Sequence, residues 1–154
     1  MSLKVVTPSL SALDSLQGVD ALALFIGEEE RPLTGAAGFA DWRLLGGLSR
    51  VLLDSFFLGA AGDALLLPTQ SRLNVSRVFA FGLGKQSAWD SDALDKAFKD
   101  AAAALNKALV TSVAVGLPEA LAARPTTRAR FEQAFVSECK ASPCTLLAAR
   151  PAAS

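Results

Sequence analysis

Short continuous apolar runs alternate with longer amphipathic stretches along the chain. Lys4–Thr7 reads as a first strand, stopped by Pro8. Ser9–Gly18 mixes leucines with polar residues and reads as one helical turn. Ala21–Gly27, with no polar side chain, fits a strand buried on both faces of a sheet. The charged segment Glu28–Pro32 then reads as a solvated turn. Gly35–Gly38 leads into a helix expected from about Ala40 to Leu58. Its apolar stripe is Leu45, Leu48, Leu52 and Phe56, with Leu44 and Val51 beside it. Asp41 near its start suits the positive end of the helix dipole. Gly46 and Gly47 in mid-helix cost about 1 kcal/mol each relative to alanine, which predicts another backbone packed closely there. Gly59 is the expected terminator.

The second half repeats the alternation. Asp63–Pro68 and Arg77–Leu83 read as strands joined by a loop over Thr69–Asn74. A helix is expected from Ser91 to Leu109, capped by Asp90 and Asp92. It buries Leu94, Ala97, Phe98, Ala101, Leu105, Ala108 and Leu109, and presents Lys96, Lys99, Asp100 and Lys107 to solvent. Thr111–Leu117 reads as a strand stopped by Pro118, and Pro118-Glu119 as the start of a short helical turn. A further helix opens at Pro125-Thr126-Thr127 and carries the stripe Phe131, Ala134, Phe135 and Cys139. Cys144–Ala149 completes the strands, and Arg150–Ser154 reads as a frayed tail. This order of elements predicts a single three-layer α/β/α domain with a mostly parallel or mixed sheet and right-handed crossovers.

Composition narrows the chemistry. The 154 residues are 51% hydrophobic, much of it alanine, enough for one core without a metal or disulfide. Fifteen basic residues balance fifteen acidic ones. Duplex DNA binding calls for a basic surplus or a basic face. The local cluster of Arg124, Arg128 and Arg130 reads instead as a solvated helix start. There is no histidine, so the commonest metal ligand and general base are missing. Cys139 and Cys144 are too few for a four-ligand zinc site and are expected as free thiols. No signal peptide is visible, and the apolar runs fall well short of the roughly 20 residues that span a bilayer. A cytoplasmic protein is expected.

The most attractive local motif is Gly82-Leu83-Gly84-Lys85, at the C-terminal end of an expected strand. Open α/β sheets bind ligands there, glycines let backbone amides approach a phosphate, and a lysine adds charge. Gly82, Gly84 and Lys85 are therefore the candidate ligand-binding residues. The run matches neither G-x-G-x-x-G nor a P-loop, and a tight turn needing unusual backbone angles is the plainer explanation. No G-x-S-x-G elbow is present. Trp42 and Trp89 are expected as buried or half-buried packing residues rather than stacking platforms.

Two stretches taken together resemble a known family. The first is Asp41-Trp42-Arg43-Leu44 with Gly47-Leu48-Ser49-Arg50. The second is Leu65-Leu66-Leu67-Pro68-Thr69 followed by Arg77-Val78-Phe79 and Gly82-Leu83-Gly84-Lys85. In this order and spacing, with the strand at Ala21–Gly27 and with Arg31-Pro32-Leu33, the chain from about Leu3 to Ala149 resembles the N-terminal domain of the leucine aminopeptidase (cytosol aminopeptidase) metallopeptidase family. The resemblance implies a macro-domain-like mixed sheet flanked by helices. It also implies that the peptidase centre, with its metal ions and its Asn-Thr-Asp-Ala-Glu-Gly-Arg motif, belongs to a separate C-terminal domain not found in this chain. No catalytic or metal-binding residue carries over, and no cofactor is expected. Within the family this domain helps shape a hexameric assembly and in some members is implicated in DNA binding, which the neutral charge here does not favour. The resulting expectation is a non-catalytic assembly or regulatory module that self-associates or docks on a peptidase-family protein. The alternative is a module binding a nucleotide or an ADP-ribose-like ligand.

Overall fold

The computed structural model describes residues 3–16, 18–28, 30–53, 57–69 and 71–148. Among the described residues, six strands form one sheet: β1 (Leu3–Val6), β2 (Ala21–Gly27), β3 (Ala64–Pro68), β4 (Arg77–Gly84), β5 (Val113–Gly116) and β6 (Cys144–Leu147). Their order is β1-β6-β5-β2-β4-β3. Every pairing is parallel except β3 with β4. The sheet is therefore mixed, as expected, with its single antiparallel strand at one edge.

β2 occupies the interior of the sheet, which explains its unbroken apolar run: all seven of its residues are buried. Strand alternation divides its side chains between two cores. Ala21, Ala23 and Phe25 join one and Leu22, Leu24 and Ile26 the other. The first core lies under α4 (Ser91–Lys107), α5 (Glu119–Ala122), α6 (Thr127–Phe131) and the π-helical stretch Glu132–Val136 that prolongs α6. Its centre is aromatic. Phe25 meets Phe98 edge-on at 5.3 Å, and Phe98 meets Phe131 likewise at 5.3 Å. The second core lies under α1 (Leu10–Asp14), α2 (Gly35–Arg43) and α3 (Gly47–Leu53). Helices on both faces make the three-layer architecture.

The expected long helix over 40–58 is the main point of difference. The helix starts earlier, at Gly35, and is broken at Leu44–Gly46, where Leu45 and Gly46 take positive φ values of 55° and 80°. The glycines therefore serve a left-handed reversal rather than the close approach of another backbone. A side chain at Gly46 would meet only Arg50, at 3.6 Å. The break re-aims the apolar stripe. Leu44, Leu48 and Leu52 are buried, but Leu45 is 64% exposed. Asp41 falls at the end of α2 and caps α3 instead, accepting hydrogen bonds from the Ser49 amide (3.1 Å) and hydroxyl (2.5 Å). Phe57 and Leu58 are not helical. Phe56, Ala149 and the tail 150–154 lie outside the described residues.

α4 matches its expected span at the capped end, where Asp90 accepts from the Ala93 amide at 2.8 Å. It ends two residues early. The Val110 amide reaches back to the Leu105 carbonyl at 3.1 Å, closing the helix with Leu109 left-handed and 79% exposed rather than in the buried face. The three arginines of the local cluster are each engaged. Arg124 donates to the Trp89 carbonyl, Arg128 pairs with Glu132, and Arg130 pairs with Asp95. They form no shared basic face.

Candidate functional site

The chain leaves β2 toward α2 on one face of the sheet and leaves the neighbouring β5 toward α5 on the other. Loops that diverge in this way open a crevice outside the strand ends, the usual ligand position in open α/β sheets. A crevice of about 360 Å³ lies there. Gly27 ends its floor, the Glu30–Thr34 loop forms one side, Gln86 and Trp89 another, and Pro118–Ala120 the third.

Trp89 is the rigid wall. It is buried, and its indole Nε1–H donates to the Gly84 carbonyl at 3.2 Å. Behind it the Arg124 guanidinium lies 5.5 Å from the ring centroid and donates to the Trp89 carbonyl at 2.7 Å. The ring rests on Gly27, where an added Cβ would come within 2.9 Å of Trp89 Cζ2.

The candidate residues Gly82, Gly84 and Lys85 lie behind this wall. The Gly82 amide donates to the Asp63 carbonyl and the Gly84 amide to the Gly59 carbonyl, each at 2.8 Å. Gly84 has φ of 77°, and its carbonyl also accepts from the Glu28 amide at 3.0 Å. Both glycines thus spend their amides on the 59–63 turn. Lys85 is exposed. What the loop gives the crevice is support, through the Gly84 carbonyl that fixes Trp89.

Sequence reading missed Glu30, treated as part of a solvated turn. Its carboxylate turns inward. Oε1 accepts from the Gly27 amide at 3.1 Å, and Oε2 accepts from both the Thr34 amide and the Thr34 hydroxyl at 2.7 Å. The same hydroxyl oxygen accepts from the Glu119 amide at 3.2 Å. One glutamate therefore joins the end of β2, the start of α2 and the β5–α5 junction. The signal was legible only as a glutamate three residues after a strand-ending glycine and four before a threonine. That spacing has no unique meaning without the loop's path.

Trp42 departs from the packing role expected of it: it is 71% exposed. With Phe39, Leu10, Leu33 and Gly38 it lines a groove of about 420 Å³ along α2. Leu53, in α3, is 80% exposed. Among the described residues no group of three or more histidine, cysteine or carboxylate side chains could hold a metal ion. Cys139 and Cys144 are both buried free thiols. Among those residues, too, no helix is long and apolar enough to cross a membrane.

Comparison with known proteins places these features. Solved structures of the same fold include the macrodomain of Mycobacterium tuberculosis DarG, with a TM-score of 0.69 at 13% identity over 96% of this chain and 98% of that one. The macrodomain of Thermus aquaticus DarG gives 0.66 at 15% identity over the same shares. A tomato leucine aminopeptidase variant gives 0.65 at 18% identity, covering 96% of this chain and 32% of that one. These likenesses establish a macrodomain-like fold. In sequence, the probable cytosol aminopeptidase of Burkholderia orbicola (strain MC0-3) is 38% identical over 97 residues, which make up 63% of this chain. That of Burkholderia multivorans is 37% identical over a stretch of the same length. The matched stretch is 18% of the length of each relative. Residues 21–140 match the model of the cytosol aminopeptidase family N-terminal domain. The chain therefore belongs to the cytosol aminopeptidase family, of which it carries the N-terminal domain.

Proposed function

We propose that this domain is a non-catalytic assembly or regulatory module that docks onto a peptidase-family protein through the α2 groove. The observation that carries the reading is Trp42, 71% exposed beside Phe39 in a groove of about 420 Å³. Tryptophan is the residue most enriched at interface hot spots, and an apolar groove with an exposed indole marks a contact surface. Family membership supports the class of partner, and the relatives' description as cytosol aminopeptidases supports a cytoplasmic setting. The formal charge of zero favours a protein partner over nucleic acid.

The test is size-exclusion chromatography with light scattering. The domain is run alone and mixed with the Burkholderia orbicola relative, as wild type and as Trp42→Asp. Co-elution that the variant loses supports docking, and a wild-type oligomer that the variant dissolves assigns the groove to a second copy. A monomer that co-elutes with nothing overturns the reading. Manganese- or zinc-stimulated leucine-anilide hydrolysis that survives repurification would overturn its non-catalytic part.

A second reading, a small-ligand module, is favoured by the strand-end crevice with its fixed tryptophan wall. ADP-ribose and nucleotides are the ligands to screen by thermal shift.

A further inference from the structure

The crevice has one feature that neither reading uses. Backbone amides at the ends of parallel strands and at the start of a helix form a ready site for an anion. Here those amides are not empty. Those of Gly27 and Thr34 point at the Glu30 carboxylate, and the Glu119 amide reaches it through the Thr34 hydroxyl. The carboxylate comes from the chain itself, in a crevice with about 360 Å³ of free space beside it.

We propose that the crevice is a built anion site whose resident anion is the Glu30 carboxylate. Small carboxylates take its place only when the side chain is shortened, and phosphate-bearing ligands are kept out while it remains. The inference relies on the small-ligand reading for the location of the site and is independent of docking through α2. Three donors reach the Glu30 oxygens directly, and they come from β2 and from the residue that opens α2. Their arrangement fits a charge fixed in place better than a side chain that merely shields a turn. An entering phosphate would meet Glu30 as a like charge and would find Gly27 and Thr34 already engaged. The exposed Arg31 does not relieve this, because its guanidinium donates to the Glu30 carbonyl at 2.8 Å.

The test is chemical rescue. Glu30→Ala removes the carboxylate and leaves room for acetate. The variant is expected to melt below wild type and to recover with added sodium acetate but not with sodium chloride at equal ionic strength. Each tenfold rise in acetate above its dissociation constant should return roughly 3–6 °C of melting temperature. Wild type should gain no more from acetate than from chloride. Glu30→Gln keeps an acceptor without the charge and should respond less than Glu30→Ala. In amide NMR spectra of the rescued variant, the Gly27 and Thr34 signals should move with acetate.

Equal responses of wild type and Glu30→Ala to acetate would overturn the inference, as would a folded Glu30→Ala blind to both acetate and phosphate. A Glu30→Ala chain that stays unfolded at every acetate concentration would count against it too. Should wild type bind ADP or ADP-ribose, the inference falls while the small-ligand reading stands. If rescue succeeds and wild type binds neither, the inference holds and the nucleotide version of that reading falls.

Discussion

Gly82 of β4 sits directly against Ala60 of the turn before β3: a methyl group on Gly82 would lie 2.0 Å from the Ala60 carbonyl oxygen and 2.6 Å from the Gly59 carbonyl carbon. Both neighbours are backbone, so no side chain can swing aside. The Gly82→Ala variant is therefore expected to lose about 2–4 kcal/mol through forced separation of the turn from the sheet. Urea unfolding monitored by circular dichroism would show it as a lower midpoint. A near-neutral result would mean that the 59–63 turn can retreat without loss of its hydrogen bonds to Gly82 and Gly84.

Leu109 offers the opposite case. It occupies the left-handed position just after α4, with φ of 58°, where glycine is favoured, and its side chain is largely in water. The Leu109→Gly variant should gain about 1 kcal/mol by relieving backbone strain with little loss of buried surface. Thermal unfolding would report a higher midpoint.

These two positions also show what the sequence could and could not disclose. The apolar run of β2, the amphipathic repeat of α4 and the proline stops are local patterns, and they gave the layers and the mixed sheet. The break at Leu45–Gly46 was hidden because a leucine with positive φ leaves no local mark, and Leu45 fits a helical stripe as well as any leucine. Trp42 was assigned to packing on residue type alone, although exposure depends on which helix face the break turns outward. The glycine pair at 82 and 84 lies at the same end of the sheet as the crevice but does not line it, and its amides are engaged by the 59–63 turn. Glu30, which holds the crevice, is defined by a loop path that no periodicity encodes.

Asp20 joins the starts of three strands. It accepts from the Thr111 amide at 3.0 Å and pairs with Arg77 at 2.7 Å, while its own amide donates to the Ser112 hydroxyl at 2.8 Å. Burial alone would raise its pKa, but the Thr111 amide and the Arg77 guanidinium outweigh that and hold it below its ordinary value. A depressed carboxylate contributes stability that is complete above its unfolded-state pKa and is lost as pH falls through the folded value. Asp20→Asn should therefore be less stable than wild type at pH 7, by about 1–2 kcal/mol. The gap should narrow as pH drops below about 4. Denaturant titrations at several pH values would reveal the convergence, and a gap that persists at acid pH would assign the loss to packing instead.

The two cysteines should be inert in the native protein. Burial pushes the Cys144 thiol up to about 12, with a further contribution from neighbouring Cys139. Burial also raises Cys139, partly offset by a backbone hydrogen bond from Ala141. At pH 8 the reactive thiolate form of Cys144 is therefore strongly disfavoured. A colorimetric disulfide reagent should label neither thiol in native buffer and both in concentrated urea. Prompt native labelling would indicate local opening of the β6 end of the core.

The pairing of β1 with β6 has a bearing on how the chain is made. Leu3 lies beside Cys144 and Val6 beside Leu147, so among the described residues the first strand pairs with the last, across nearly the whole length of the domain. Loop closure on that scale is slow, and β1 must wait as an unpaired strand until β6 is made. Its shortness, its lysine and the proline two residues beyond its end keep that wait from becoming an opportunity for other chains.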